Sequence, residues 1–75
     1  MQKLLNLLND INPDIDYEKE KNLVDDGIFD SLEIMTLIVS IDDNYHIEID
    51  AEDVTAENFN SAEKIMNLIK SYQNK

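Results

Sequence analysis

A single glycine, Gly27, and a single proline, Pro13, punctuate all 75 residues. A sheet reverses direction at every strand end, and those reversals lean on glycine and proline. So sparse a supply argues for helices joined by polar connectors. The apolar spacing agrees. Leu4, Leu7, Leu8 and Ile11 recur at i, i+3, i+4 and i+7, which makes one face of a helix over residues 1–11. Pro13 ends that helix, because it lacks a donor and disfavours helical geometry at Asn12.

A second helix is expected from Ser31 to Tyr45, with Ile34, Leu37, Ile38, Ile41 and Tyr45 as its core stripe. Leu32, Met35 and Val39 lie off that stripe and are also apolar, so the helix carries more apolar surface than one core requires. Thr55 is placed to cap a short helical turn over residues 56–59. A last helix follows, with Asn60 as its N-cap and Glu63 completing a capping box. Ala62, Ile65, Met66, Ile69 and Tyr72 form its core face, and Lys70 and Lys75 stand at its C-terminal end, where cations suit the dipole. Residues 47–50 alternate like a strand but have no plausible strand partner, and read as an extended connector.

Between the first two helices, residues 13–30 form a long connector anchored by Tyr17, Leu23, Val24, Ile28 and Phe29. A helical turn is expected over residues 18–22, and Asp25-Asp26-Gly27 is a turn signal. The fold class is therefore all-α: a small four-helix bundle of three main helices and one short one, in a single domain over residues 1–75.

Composition removes several functions. There is no cysteine, hence no disulfide, thiolate metal site or cysteine nucleophile. Asp and Glu number 17 against 6 lysines and no arginine, giving a net charge of −11. Nucleic acid is an improbable partner for such a chain, and a basic protein surface is the natural complement. No segment approaches the ~20 apolar residues of a membrane span, and residues 1–9 do not resemble a signal peptide. A cytoplasmic, monomeric protein is the expectation.

Asp42, Asn44, His46, Glu48, Asp50 and Asp53 are spaced somewhat like a calcium loop. However, the sixth position is Ile47 rather than glycine, and the twelfth is Asp53 rather than glutamate. His46, the lone histidine, reads as a helix-terminal residue whose ring interacts with the last carbonyls. The acidic pairs Asp25/Asp26 and Asp42/Asp43 read as solvated faces. No metal ligand and no catalytic residue is assigned.

Ser31 is the exception. Asp30 can cap the second helix, with Glu33 three residues on. Ser31 then falls at the first helical position with its hydroxyl unused. A phosphate attached there would meet the free amides and dipole of a helix N-terminus.

The run Leu23-Val24-Asp25-Asp26-Gly27-Ile28-Phe29-Asp30-Ser31-Leu32-Glu33, with the helix end Asp42-Asp43-Asn44-Tyr45 and then Ile47-Glu48-Ile49, resembles the acyl carrier protein family. The Asp-Ser-Leu motif is Asp30-Ser31-Leu32, and Thr55 to Ser61 resembles the family's short third helix and the start of its fourth. The resemblance implies a four-helix bundle in which Ser31, flanked by Asp30 and Leu32, is esterified with 4′-phosphopantetheine from coenzyme A. The arm's thiol holds an acyl or aminoacyl group as a thioester, supplying the thiol that the chain lacks. It implies a shuttle rather than an enzyme. A phosphopantetheinyl transferase loads it, and acyl- or aminoacyl-activating ligases and downstream synthases with basic docking patches use it. Leu32, Met35 and Val39 would then form the docking surface and Glu33, Asp42 and Asp43 its charges. In some family members the interior shelters a short acyl chain.

Two departures, Thr36 where fatty-acid carriers have an acid and His46 where many have glycine, lead away from fatty acid biosynthesis. The run Asp25-Asp26-Gly27-Ile28-Phe29-Asp30-Ser31 is closer to stand-alone carriers that serve adenylating ligases, D-alanyl carriers included, and to specialised polyketide or nonribosomal peptide carriers; a specialised pathway is the expectation, with a D-alanyl carrier or a general fatty-acid carrier as alternatives. From another class, the rival is an acidic helical interaction module without a prosthetic group. A hydrolase is a distant third.

Overall fold

In a computed structural model, which describes residues 1–74, the chain forms α1 (Gln2–Ile11), α2 (Ser31–Tyr45), α3 (Ala56–Phe59) and α4 (Ala62–Gln73). A short 3-10 turn, unforeseen in the sequence, occupies Ala51–Asp53. There is no strand among the described residues, so the all-α reading holds, and residues 47–50 are an extended connector. Lys75 lies outside the described residues.

The first helix packs against α2 and α4, and α3 packs against α4. Leu4, Leu8, Leu23, Leu37, Ile41, Phe59, Ile65 and Ile69 are fully buried. Each such side chain contributes about 1.5–3 kcal/mol on leaving water. The Cα radius of gyration is 11.2 Å, close to the ~11 Å of a tightly folded chain of this length. Among the described residues no helix is long and apolar enough to cross a membrane.

The first helix stops at Asn12, whose extended backbone (φ −147°, ψ 101°) is what a following proline imposes. Helix ends leave carbonyls unpaired. The Tyr17 hydroxyl sits between two of the last carbonyls, 2.7 Å from that of Asn12 and 3.0 Å from that of Leu8, which also accepts from the Asn12 amide at 2.9 Å. Burial foremost, and then the Glu33 charge, push the Tyr17 hydroxyl up to about 12. Its ring packs on Phe29 with centroids 6.1 Å apart.

In the connector, the helical turn expected over 18–22 is displaced to either side. One turn forms at Asp16, whose carbonyl accepts from the Lys19 and Glu20 amides. Another spans residues 22–27, where the Asn22 carbonyl accepts from Asp26 at 2.9 Å. The Glu20 carboxylate accepts from the Lys21 and Asn22 amides at 3.2 and 3.0 Å, which draws that backbone out of helical pairing. Gly27 has φ +68°, a conformation glycine adopts without strain.

The α2 C-terminus departs from expectation. The backbone of His46, not its ring, terminates the helix. The residue is left-handed (φ 55°, ψ 45°), and its amide donates to the Asp42 carbonyl. The Ile47 amide reaches the same carbonyl at 3.3 Å. The His46 ring is exposed and makes no hydrogen bond among the described residues, because the left-handed turn directs the chain, rather than the side chain, back over the helix end. Lys3 of α1 supplies the cation instead. Its ammonium donates to the Asn44 carbonyl and lies 4.8 Å from the Tyr45 ring centre. The Tyr45 hydroxyl is buried with no hydrogen-bond partner among the described residues.

The N-terminus of α4 is also corrected. Ser61 is the N-cap, its side chain accepting from the Lys64 amide at 3.2 Å. Asn60 is buried and its amide is engaged elsewhere, so it is not free to cap. Leu68 joins the expected core face of α4, and Lys70 stands in its last turn. Tyr72 is half-buried. Its hydroxyl donates to the Asp53 carboxylate and accepts from the Asp50 amide at 2.9 Å, and that bond to Asp53 is the main cause holding it above the usual tyrosine range.

Candidate functional site

Asp30 has extended geometry (φ −82°, ψ 177°), and the chain turns helical one residue later. The Asp30 carboxylate accepts from the Glu33 amide at 2.8 Å, and the Glu33 carboxylate accepts from the Asp30 amide at 3.2 Å. This is the expected capping box. The Asp30 carbonyl takes the Ile34 amide at 3.0 Å. Of the first-turn donors, those of Ser31 and Leu32 remain at the open end of the helix. Ser31 is exposed, and its hydroxyl has no hydrogen bond among the described residues.

Leu32, Met35 and Val39 are 73, 64 and 61% exposed, a stripe of large apolar side chains running along α2 from the Ser31 end. Its Met35 and Val39 lie in one wall of a groove. Met35, Ile38 and Val39 face Ile49, Ala51 and Val54 across about 350 Å³. That second wall was not foreseen. Residues 47–50 read in the sequence as an extended connector and residues 51–54 as no element, and sequence pattern cannot place such a segment beside a helix. Ile38 serves both the core and the groove.

The three acids assigned to α2's surface are not equivalent. Glu33 is half-buried and closes the cap. Asp42 is half-buried and accepts from the Ile49 amide at 3.2 Å, which fixes the far wall of the groove. Asp43 is exposed. Glu33 does the capping expected of it, and Asp42, expected only as a partner-facing charge, also has internal work; one carboxylate oxygen of each is in use. Thr36 turns its hydroxyl back onto the Leu32 carbonyl at 3.0 Å, so it presents a methyl group rather than a charge along the helix.

No family model matches the chain, and no solved structure does. Among curated proteins it is similar to a D-alanyl carrier protein of Lactobacillus acidophilus, 24% identical over 74 residues that cover 97% of this chain and 94% of that protein. It is similar to a D-alanyl carrier protein of Lactobacillus helveticus at 23% over the same shares. The likeness to carriers expected from the run around Ser31 is thus borne out at low identity and over nearly the full length: this chain is related to proteins of the carrier type.

Proposed function

We propose that this chain is a carrier protein whose Ser31 bears 4′-phosphopantetheine and whose cargo is an aminoacyl group, D-alanine foremost. One observation carries the reading. The exposed Ser31 hydroxyl, freed from capping by Asp30, opens α2 in a chain that runs end to end along two proteins named as D-alanyl carriers. The cargo is the part that rests on the relatives' name.

The residues fit the group. Loading requires an accessible hydroxyl, and Ser31 has one with no competing bond. Attack by the Ser31 Oγ on the β-phosphorus of coenzyme A forms the serine–phosphate ester. It breaks the bond between the two phosphates, releases adenosine 3′,5′-bisphosphate and passes the hydroxyl proton to a base on the transferase. The amides of Ser31 and Leu32 and the helix dipole favour the anionic ester. When bound, the arm supplies a terminal thiol for a thioester. This chain's own residues then present and orient. Leu32, Met35 and Val39 offer an apolar contact beside the attachment point, and Asp43, with the outer oxygens of Glu33 and Asp42, gives a field that speeds encounter with basic partners in a salt-sensitive way. The partners are a phosphopantetheinyl transferase and an aminoacyl-activating ligase, and the chain itself is no enzyme.

The test is an intact mass after incubation with coenzyme A and a broad-specificity phosphopantetheinyl transferase. Wild type gains one phosphopantetheine and Ser31→Ala gains none. A wild type left unmodified, with the transferase active on a control carrier, rejects the reading in favour of an acidic interaction module. The loaded protein is then offered to ligases that activate D-alanine or fatty acids. Charging with a fatty acid alone overturns the aminoacyl cargo.

A further inference from the structure

Asn60 is a polar residue 6% exposed, and every polar group it owns except its backbone nitrogen is spent on one distant segment. Its side-chain oxygen accepts from the Val24 amide at 3.0 Å and the Asp25 amide at 3.1 Å. Its side-chain nitrogen donates to the Asp25 carboxylate at 3.0 Å. Its carbonyl accepts from the Leu23 amide at 2.9 Å. The Leu23 carbonyl in turn accepts from the Phe29 amide at 3.0 Å, which closes residues 23–29 into a ring. Asp30 follows at once and caps α2.

We infer that Asn60 is a positioning residue for Ser31: it latches the 23–29 ring to the junction of α3 and α4, and so sets where the acceptor hydroxyl is presented. The inference rests on the carrier reading above and adds to it a residue far from the serine in sequence. Leu23 and Phe29 bury their side chains, but apolar burial is non-directional. Orientation of the ring comes from the bonds to Asn60. Asparagine suits the place because one planar group offers an acceptor for two adjacent amides and a donor for Asp25. Aspartate keeps the acceptor but sets a second carboxylate against Asp25, and alanine leaves both amides without a partner.

The experiment uses the full chain in three variants: Asn60→Ala, Asn60→Asp, and Asn60→Asp combined with Asp25→Asn. The combination reverses the donor and acceptor of the side-chain bond while keeping the acceptor for Val24 and Asp25. Two readouts are taken: kcat and KM for loading by a broad-specificity transferase, and amide exchange at Val24, Asp25 and Phe29, with Ile65 as the core control. A ring that holds the competent geometry only about a tenth of the time raises KM about tenfold and leaves kcat within about twofold. Asn60→Ala and Asn60→Asp should show this, with faster exchange at the three loop amides and Ile65 still protected. The combined variant should restore both readouts.

An unchanged KM in Asn60→Ala alongside faster loop exchange makes the latch merely structural and overturns the inference. A combined variant that stays as impaired as Asn60→Asp overturns it as well. These outcomes leave the carrier reading intact, whereas a wild type that is never loaded removes that reading and this one together.

Discussion

Asp30 and Glu33 hold each other's backbone, the Asp30 carboxylate 2.8 Å from the Glu33 nitrogen and the Glu33 carboxylate 3.2 Å from the Asp30 nitrogen. The pair does the capping for which serine is also suited, and the consequence is a Ser31 hydroxyl with no hydrogen bond among the described residues. Asp30→Ala should cost about 1 kcal/mol of stability, seen as a fall in Tm of about 4–8 °C by circular dichroism. Asp30→Ser should recover most of it. An unchanged Tm in Asp30→Ala would mean that the cap contributes nothing.

Two kinds of apolar residue on α2 should separate in the same assay. Leu37 is fully buried, and Leu37→Ala should cost about 2–5 kcal/mol. Met35→Glu and Val39→Lys alter exposed positions and should stay within about 0.5 kcal/mol, while slowing transfer between the loaded chain and its ligase. Equal losses of Tm at Leu37 and Met35 would return Met35 to the core.

Tyr17 makes stability fall at high pH. Its hydroxyl titrates near 10 when unfolded and at about 12 when folded. The unfolded chain therefore gives up its proton first, and the stabilisation is whole below pH 10 and lost as pH rises from 10 through 12. The slope from this one group is about 1.4 kcal/mol per pH unit in that window. Tyr45, raised by burial, and Tyr72, raised chiefly by its bond to Asp53, act in the same sense. Urea melts from pH 9 to 11.5 should show a shallower decline in Tyr17→Phe. That variant also starts lower by about 0.5–1.5 kcal/mol for its lost hydrogen bonding. A decline as steep as wild type would mean that Tyr17 is not the group responsible.

At Tyr45 the buried hydroxyl has no partner among the described residues. Tyr45→Phe keeps the ring beneath the Lys3 ammonium and removes the orphan group. Stability should hold or rise by up to about 1 kcal/mol. A loss larger than that would reveal a partner for the hydroxyl in solution.

His46 ends α2 in a left-handed conformation that costs a side-chain-bearing residue about 1–2 kcal/mol. Glycine is free of that cost but loses more entropy on folding. His46→Gly should therefore raise stability by a net of about 0.5–1 kcal/mol. A fall in Tm would show that the His46 side chain has a partner beyond those described.

The long helices were legible because each writes its buried face at a spacing of three and four residues. Leu4 and Leu8, Leu37 and Ile41, and Ile65 and Ile69 are where that spacing puts them. The cap at Asp30 was legible because its two partners lie three residues apart, and Ser31's vacancy follows from it locally. Tertiary structure alone decided what lies between distant segments. Asn60 has the local credentials of an N-cap, and it was drawn away by amides 35 and 36 residues upstream. The Ser31 helix gained the second wall of its groove from Ile49, Ala51 and Val54, a stretch whose brief alternation does not say which helix it lies beside. Hydrophobic period and capping act within one helical turn and so are written in the chain. A hydrogen bond across the fold belongs to whichever competing donor or acceptor the packing brings nearest, and only the folded chain makes that choice.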